Sequence, residues 1–273
     1  MSEAMAVAQE KVGTLALGPG RTIAYRRIAS APDERLPTVV FLGGFMSDMT
    51  GRKAEALAEF CAARGQGFLR FDHFAHGESS GTMEEATVGA WASDAVAVLD
   101  RLTQGPLLLV GSSMGAWVML LAALARPERI HALIGLAAAP DFTEELVWNA
   151  YTPHEQETLM REGKIVEPSP YGERPYVFTR ALIEDGRRHL LLNAPIAIET
   201  PVRLIHGIAD RDVPYTTALR LAERLTAKDV VISLIKDADH RLSRNDDLAR
   251  IAATVAELSD YSPAASSASS PAR

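Results

Sequence analysis

Residues 107–125 constrain the fold of this chain more than any other stretch. Leu107-Leu108-Leu109-Val110 is a continuous apolar run, suited to a strand buried on both faces. Residues 116–125 suit a helix. Between them lies Gly111-Ser112-Ser113-Met114-Gly115, short enough to demand a sharp turn. A chain that turns this fast is expected to hold its central residue in a strained conformation with positive φ. The residues two positions to either side must then lack bulk, so that strand and helix can pass closely. The frame selects Ser113 as the central residue, not Ser112. Its hydroxyl is aimed outward above the C-terminal end of the strand, beside backbone N–H groups at a helix N-terminus.

The rest of the chain alternates in the same way. Residues 12–17 and 22–28 flank Gly18-Pro19-Gly20, a hairpin signal. Residues 38–42, 67–71, 132–136, 202–205 and 230–235 read as further strands. Helical patterns fall at 53–64, 88–102, 215–225 and 242–258. With the first stretch this predicts an α/β fold, a mostly parallel sheet of about eight strands with an antiparallel hairpin at one edge. The alternation stops between Phe142 and Pro195. Amphipathic pieces at 142–151, 153–162 and 178–192 surround Pro168, Pro170, Gly172 and Pro175. This insertion is too long for a plain loop and too short for its own core, so it reads as a small helical cap over the sheet's C-terminal edge. The expected organisation is a single domain over residues 1–261. The Ala/Ser/Pro-rich segment 262–273 is expected to be disordered.

Composition narrows the partners. The 273 residues carry a net charge of −7, which argues against nucleic acid or an anionic membrane surface. No window approaches the ~18 consecutive apolar residues of a membrane span. The single cysteine, Cys61, fits a reducing compartment and lies in the 53–64 helical pattern, where it reads as a core residue. Residues 1–12 have neither signal-peptide nor transit-peptide character, so the expected location is the cytoplasm.

A serine hydroxyl is a weak nucleophile at neutral pH. It needs a base, and the base needs a partner that fixes its tautomer. Of the seven histidines, His240 alone is both late in the chain and in a loop after the last strand. His206 closes a strand and reads as structural. His73 and His76 share one loop, where they either line the pocket or satisfy backbone groups. His131, His154 and His189 read as surface or packing residues. For the acid, Asp210 and Asp212 are level on position, and Asp141 is the next candidate. An oxyanion formed at Ser113 needs two backbone donors: Met114 N–H is one, and Phe45 N–H in the Gly43-Gly44-Phe45 turn is the other. Gly44 and Ser112 border the substrate. No metal is expected, because the chain lacks H-E-x-x-H and has one cysteine. No cofactor is expected either.

Taken together, Gly44-Phe45, residues 72–77, Gly111 to Gly115, residues 210–214 and His240 resemble the α/β-hydrolase superfamily. Glu59-Phe60-Cys61, Arg70-Phe71-Asp72, Ala125-Arg126-Pro127-Glu128, Ala132-Leu133-Ile134-Gly135, Val213-Pro214 and Asp239-His240-Arg241 are similar to one subgroup, the mitochondrial palmitoyl-protein thioesterases that also act as mycophenolic acid acyl-glucuronide esterases. Gly43 departs from that subgroup, which has proline there. The resemblance implies hydrolysis of small-molecule or lipid-acyl esters or thioesters by Ser113, Asp210 and His240. The G-x-x-D-x-x-V-P spacing that starts at Gly207 resembles the superfamily's acid loop, and that favours Asp210. The rivals are C–C bond or amide hydrolysis on the same residues, or a silent binding protein. The chain is expected to be a monomer or a homodimer.

Overall fold

The computed structural model describes residues 10–31, 35–169 and 174–261. Pro170, Gly172 and the 262–273 tail lie outside these, as do residues 1–9 of the N-terminal segment. The strands are β1 (Lys11–Gly18), β2 (Arg21–Ile28), β3 (Thr38–Leu42), β4 (Phe68–Phe71), β5 (Leu107–Ser112), β6 (Ile130–Leu136), β7 (Lys164–Glu167), β8 (Tyr176–Thr179), β9 (Val202–Gly207) and β10 (Val230–Ile235). The helices are α1 (Arg52–Ala63), α2 (Val88–Leu102), α3 (Met114–Ala125), α4 (Pro153–Glu162), α5 (Arg180–Gly186), α6 (Thr216–Arg224) and α7 (Asn245–Ser259).

Eight strands form one sheet in the order β1-β2-β4-β3-β5-β6-β9-β10. The pairs β1/β2 and β2/β4 are antiparallel, and all others are parallel. The central strands show why their sequences are apolar throughout. Val40, Leu42, Leu107 and Leu109 face one core layer, with Trp91, Val98 and Leu99 of α2 and Trp117 and Leu120 of α3. Val39, Phe41, Leu108 and Val110 face the other, with Leu57 and Cys61 of α1 and Ile251, Val255 and Leu258 of α7. The two-residue period of a strand sends neighbours to opposite sides, so a strand covered twice has no polar face. Helix α3 is apolar on nearly all sides because it is almost wholly buried. Cys61 is buried, and burial pushes its thiol up to about 12, so it is a packing residue rather than a nucleophile.

The cap departs from the all-helical expectation. Its first piece is a π-helical turn, Thr143–Val147, and a 3-10 turn, Trp148–Ala150. Helix α4 follows, with Thr152 and Glu155 closing a capping box at its start. The third expected helix, 178–192, instead begins inside a strand: β8 pairs with β7 in an antiparallel two-stranded sheet. Helix α5 and a 3-10 turn, Arg187–His189, complete the segment. Tyr176-Val177-Phe178-Thr179 is aromatic and β-branched, a composition that favours extended backbone over helix.

Candidate active site

Three parallel strands, β5, β9 and β10, end on the same edge of the sheet, and the loops that leave them meet there. The turn after β5 holds Ser113 at φ 55° and ψ −122°, a region that non-glycine residues enter only when the surroundings hold them. Three hydrogen bonds do so. Ser113 N–H donates to Leu136 O (2.9 Å), and Ser113 O accepts from Ala116 N (2.9 Å) and Ala139 N (3.2 Å). The flanking glycines are steric necessities. A Cβ on Gly115 would stand 2.2 Å from Leu42 O, and one on Gly111 would stand 2.5 Å from Ala116 Cα.

The loops after β9 and β10 are joined by an Ala209 N–H to Ala238 O hydrogen bond of 3.1 Å. They carry Asp210 and His240. His240 Nε2 lies 3.0 Å from Ser113 Oγ, and its Nδ1–H donates to Asp210 Oδ2 at 2.8 Å. One ring nitrogen therefore faces the hydroxyl and the other faces the carboxylate. The Asp210 side chain is fully buried, while that of His240 is 17% exposed. Asp210 Oδ1 accepts from Asp212 N–H and Val213 N–H, each at 2.9 Å. Burial would raise the Asp210 pKa, but hydrogen bonds from His206 and His240 outweigh it and hold the carboxyl well below the usual carboxylate range.

His206 has a place that sequence reasoning did not anticipate. Its Nε2 lies 3.1 Å from the same Asp210 Oδ2 and 3.0 Å from Val213 O. Asp210 Oδ2 thus has two imidazoles against it, His206 and His240. Asp212 enters through its backbone N–H. Asp210, Asp212 and His240 offer ligand atoms within 4.8 Å of one another. However, the nearest His240 nitrogen already donates its proton to Asp210, which leaves it no lone pair for a metal.

Asp141 has a different task. It is buried, with φ 61°, and its two carboxylate oxygens accept from Leu191 N–H and Leu192 N–H at 2.8 Å each. It therefore ties the beginning of the cap to its end. Asp141→Ala is expected to leave the buried Leu192 N–H unpaired, at about 1–3 kcal/mol, and the half-buried Leu191 N–H at less. A thermal melt should show the loss, and an unchanged Tm would contradict this anchoring.

On the other side of Ser113, the turn after β3 closes on the turn that holds it. A Cβ on Gly44 would meet Ser112 O and the Ser113 Cβ, each at 3.3 Å. Ser112 is buried at the end of β5. Met114 contributes the first N–H of α3, which has no carbonyl a full turn earlier in that helix to accept it. The Phe45 ring stacks on Phe178 of the cap (centroids 5.4 Å, 9° between planes) and meets Tyr176 and Phe142 at 5.5 and 5.7 Å. Cap strand β8 thus roofs the turn that carries the Phe45 N–H. His76 satisfies backbone groups. His73 is buried against Phe71, and burial takes its pKa down to about 3, so its ring is neutral.

The model of the alpha/beta hydrolase fold family matches residues 37–181. This chain belongs to the α/β-hydrolase family. It is 38% identical over 239 residues to the mouse mitochondrial palmitoyl-protein thioesterase ABHD10, covering 87% of this chain and 79% of that protein. Among solved structures it is similar to a putative hydrolase from Agrobacterium vitis S4 (38% identity, TM-score 0.87, 93% of this chain and 99% of that one). It is also similar to mouse alpha/beta hydrolase domain-containing protein 10 (36% identity, TM-score 0.83, 91% of this chain and 98% of that one). The relatives correct one expectation. ABHD10 is a mitochondrial protein, so the cytoplasmic location drawn from the sequence does not stand. That expectation rests on the character of residues 1–12, and the single cysteine suits any reducing compartment equally, so neither separates one such compartment from another. Among the described residues no helix is long and apolar enough to cross a membrane.

Proposed function

We propose that this α/β hydrolase cleaves carboxylic thioesters and esters through an acyl-enzyme on Ser113, carried by a single domain over residues 1–261. The observation that carries this reading is the 3.0 Å approach of His240 Nε2 to Ser113 Oγ, with Asp210 behind the imidazole at 2.8 Å. Similarity to a palmitoyl-protein thioesterase supports an acyl substrate. The Ser113 Oγ–H proton passes to His240 Nε2 as Oγ bonds the acyl carbonyl carbon. The carbonyl oxygen becomes an oxyanion and accepts from Phe45 N–H and Met114 N–H. As it collapses, the bond to the leaving sulfur or oxygen breaks, and that atom takes the proton from His240. Water then repeats the sequence: it yields a proton to His240 Nε2 and attacks the acyl carbon, and Ser113 leaves with the proton. Asp210 stays ionised throughout and stabilises the imidazolium.

The reading is tested with p-nitrophenyl esters of graded chain length, the matching acyl thioesters and the matching anilides. Ester and thioester turnover, with labelling of Ser113 by a fluorophosphonate, is the expected result. Faster cleavage of the anilides, or no labelling at all, would overturn it.

A further inference from the structure

The turn that offers the Phe45 N–H is held from below by a buried histidine. Met46, the next residue, has φ 58°, in the left-handed region that an unbranched side chain enters only under constraint. Its N–H donates to His76 Nε2 at 3.0 Å. His76 Nδ1 lies 3.0 Å from Phe74 O, which also accepts from Trp91 Nε1–H at 3.0 Å. A backbone N–H cannot accept and a carbonyl cannot donate, so these partners fix the tautomer: Nδ1 carries the proton and Nε2 presents its lone pair. His76 is 4% exposed, and its ring meets Trp91 at 5.6 Å, His73 at 5.9 Å and Phe45 at 6.2 Å. Burial lowers its pKa, although the bond to Phe74 works the other way, so the lone pair stays available.

We infer that His76 is a positioning residue for the oxyanion hole: its Nε2 lone pair holds Met46 in its strained conformation and so aims the Phe45 N–H. This rests on the role proposed above for Phe45. The geometry explains why a buried acceptor is needed. The peptide unit that carries the Phe45 N–H also carries Gly44 O, which accepts from Ser47 N (3.2 Å) and Ser47 Oγ (2.8 Å). Ser47 is exposed, so water competes for that anchor. The following peptide unit carries the Met46 N–H, and the buried ring of His76 grips it. With both planes fixed, rotation about Phe45 is restricted. The donor is then already in place when charge develops on the substrate oxygen, which is where such a donor contributes.

Two amide variants separate the two ring nitrogens. Gln carries its outer polar atoms where Nε2 lies and can accept from Met46 N–H. Asn reaches only to the Nδ1 position and can serve Phe74 O alone. His76→Gln is expected to keep kcat on a p-nitrophenyl ester within about fivefold of wild type. His76→Asn and His76→Leu are expected to lose about 10–100-fold in kcat with KM within about twofold, because the donor acts in the transition state. Affinity for a trifluoromethyl ketone, which forms a tetrahedral adduct on serine, should weaken by the same factor as kcat. Equal kcat for His76→Asn and His76→Gln would overturn the proposal, as would a loss expressed in KM alone. Those two variants keep the test open should His76→Leu not fold. If wild type neither turns over the ester nor labels at Ser113, the proposed function itself fails, and this proposal with it. If wild type labels and the variants match it, only the role of His76 fails.

Discussion

Ser113→Ala is expected to lower kcat at least about a thousandfold on any ester or thioester that the wild type hydrolyses. In the proposed mechanism the covalent bond is made by Ser113 Oγ, and its loss leaves that step without a nucleophile. Ser112, its neighbour, is buried at the end of β5 and belongs to the strand, not to the strained turn. Ser112→Ala should therefore stay close to wild type. His240→Ala should lose about as much as Ser113→Ala, and the double variant should be no worse than either single one, because nucleophile and base act as a unit. The remaining activity would come from the oxyanion donors and from binding, which neither substitution touches. Steady-state kinetics with fluorophosphonate labelling is the measurement. Labelling of Ser113→Ala equal to wild type, or a Ser112→Ala as inactive as Ser113→Ala, would place the nucleophile elsewhere.

The turn at Ser113 was legible because its pattern is compact: two glycines four positions apart, between an apolar run and a helix. Glycines at 111 and 115 are imposed by backbone atoms of Leu42 and Ala116 a few ångströms away, and only glycine meets that demand. The ends of β9 and β10 were legible for a topological reason: parallel strands deliver their outgoing loops to one edge, whatever their separation in sequence. That is why Asp210 and His240 could be named as meeting Ser113. The cap hairpin was not legible. Strand β8 has four residues, and its partner β7, Lys164-Ile165-Val166-Glu167, is half charged. Its seat comes from Phe178 stacking on Phe45, a contact across more than a hundred residues that no local pattern records. The tasks of His76 and His206 were hidden for a related reason. A histidine's role depends on which partner each ring nitrogen meets, and those partners lie in other loops.

Asp210, the partner proposed for His240, carries the second large effect. Asp210 and Asp212 sit two residues apart, but their carboxylates differ in surroundings. Asp210 Oδ1 is taken by two backbone N–H groups, so the oxygen of an Asp210→Asn side chain should settle there. Its NH2 would then occupy the Oδ2 position, facing His240 Nδ1 and His206 Nε2, where only an acceptor fits. His240 would have to move its proton to Nε2 to avoid a donor facing a donor, and it would then have no lone pair to take the Ser113 proton. A loss of roughly 10³–10⁴ in kcat follows from the wrong tautomer. Asp212→Asn keeps the backbone N–H that Asp210 uses, so it should cost less than about tenfold. Stability should follow a separate course. The Asp210 pKa is depressed in the folded state, so its carboxylate stabilises the fold in full above the ordinary aspartate range, and that contribution is lost progressively as pH falls from that range through the depressed value. Asp210→Asn should therefore lower Tm at neutral pH and narrow the difference from wild type in strong acid. Kinetics on both variants, with melts at neutral and acid pH, tests the assignment. An active Asp210→Asn beside an inactive Asp212→Asn would transfer the role to the neighbouring carboxylate.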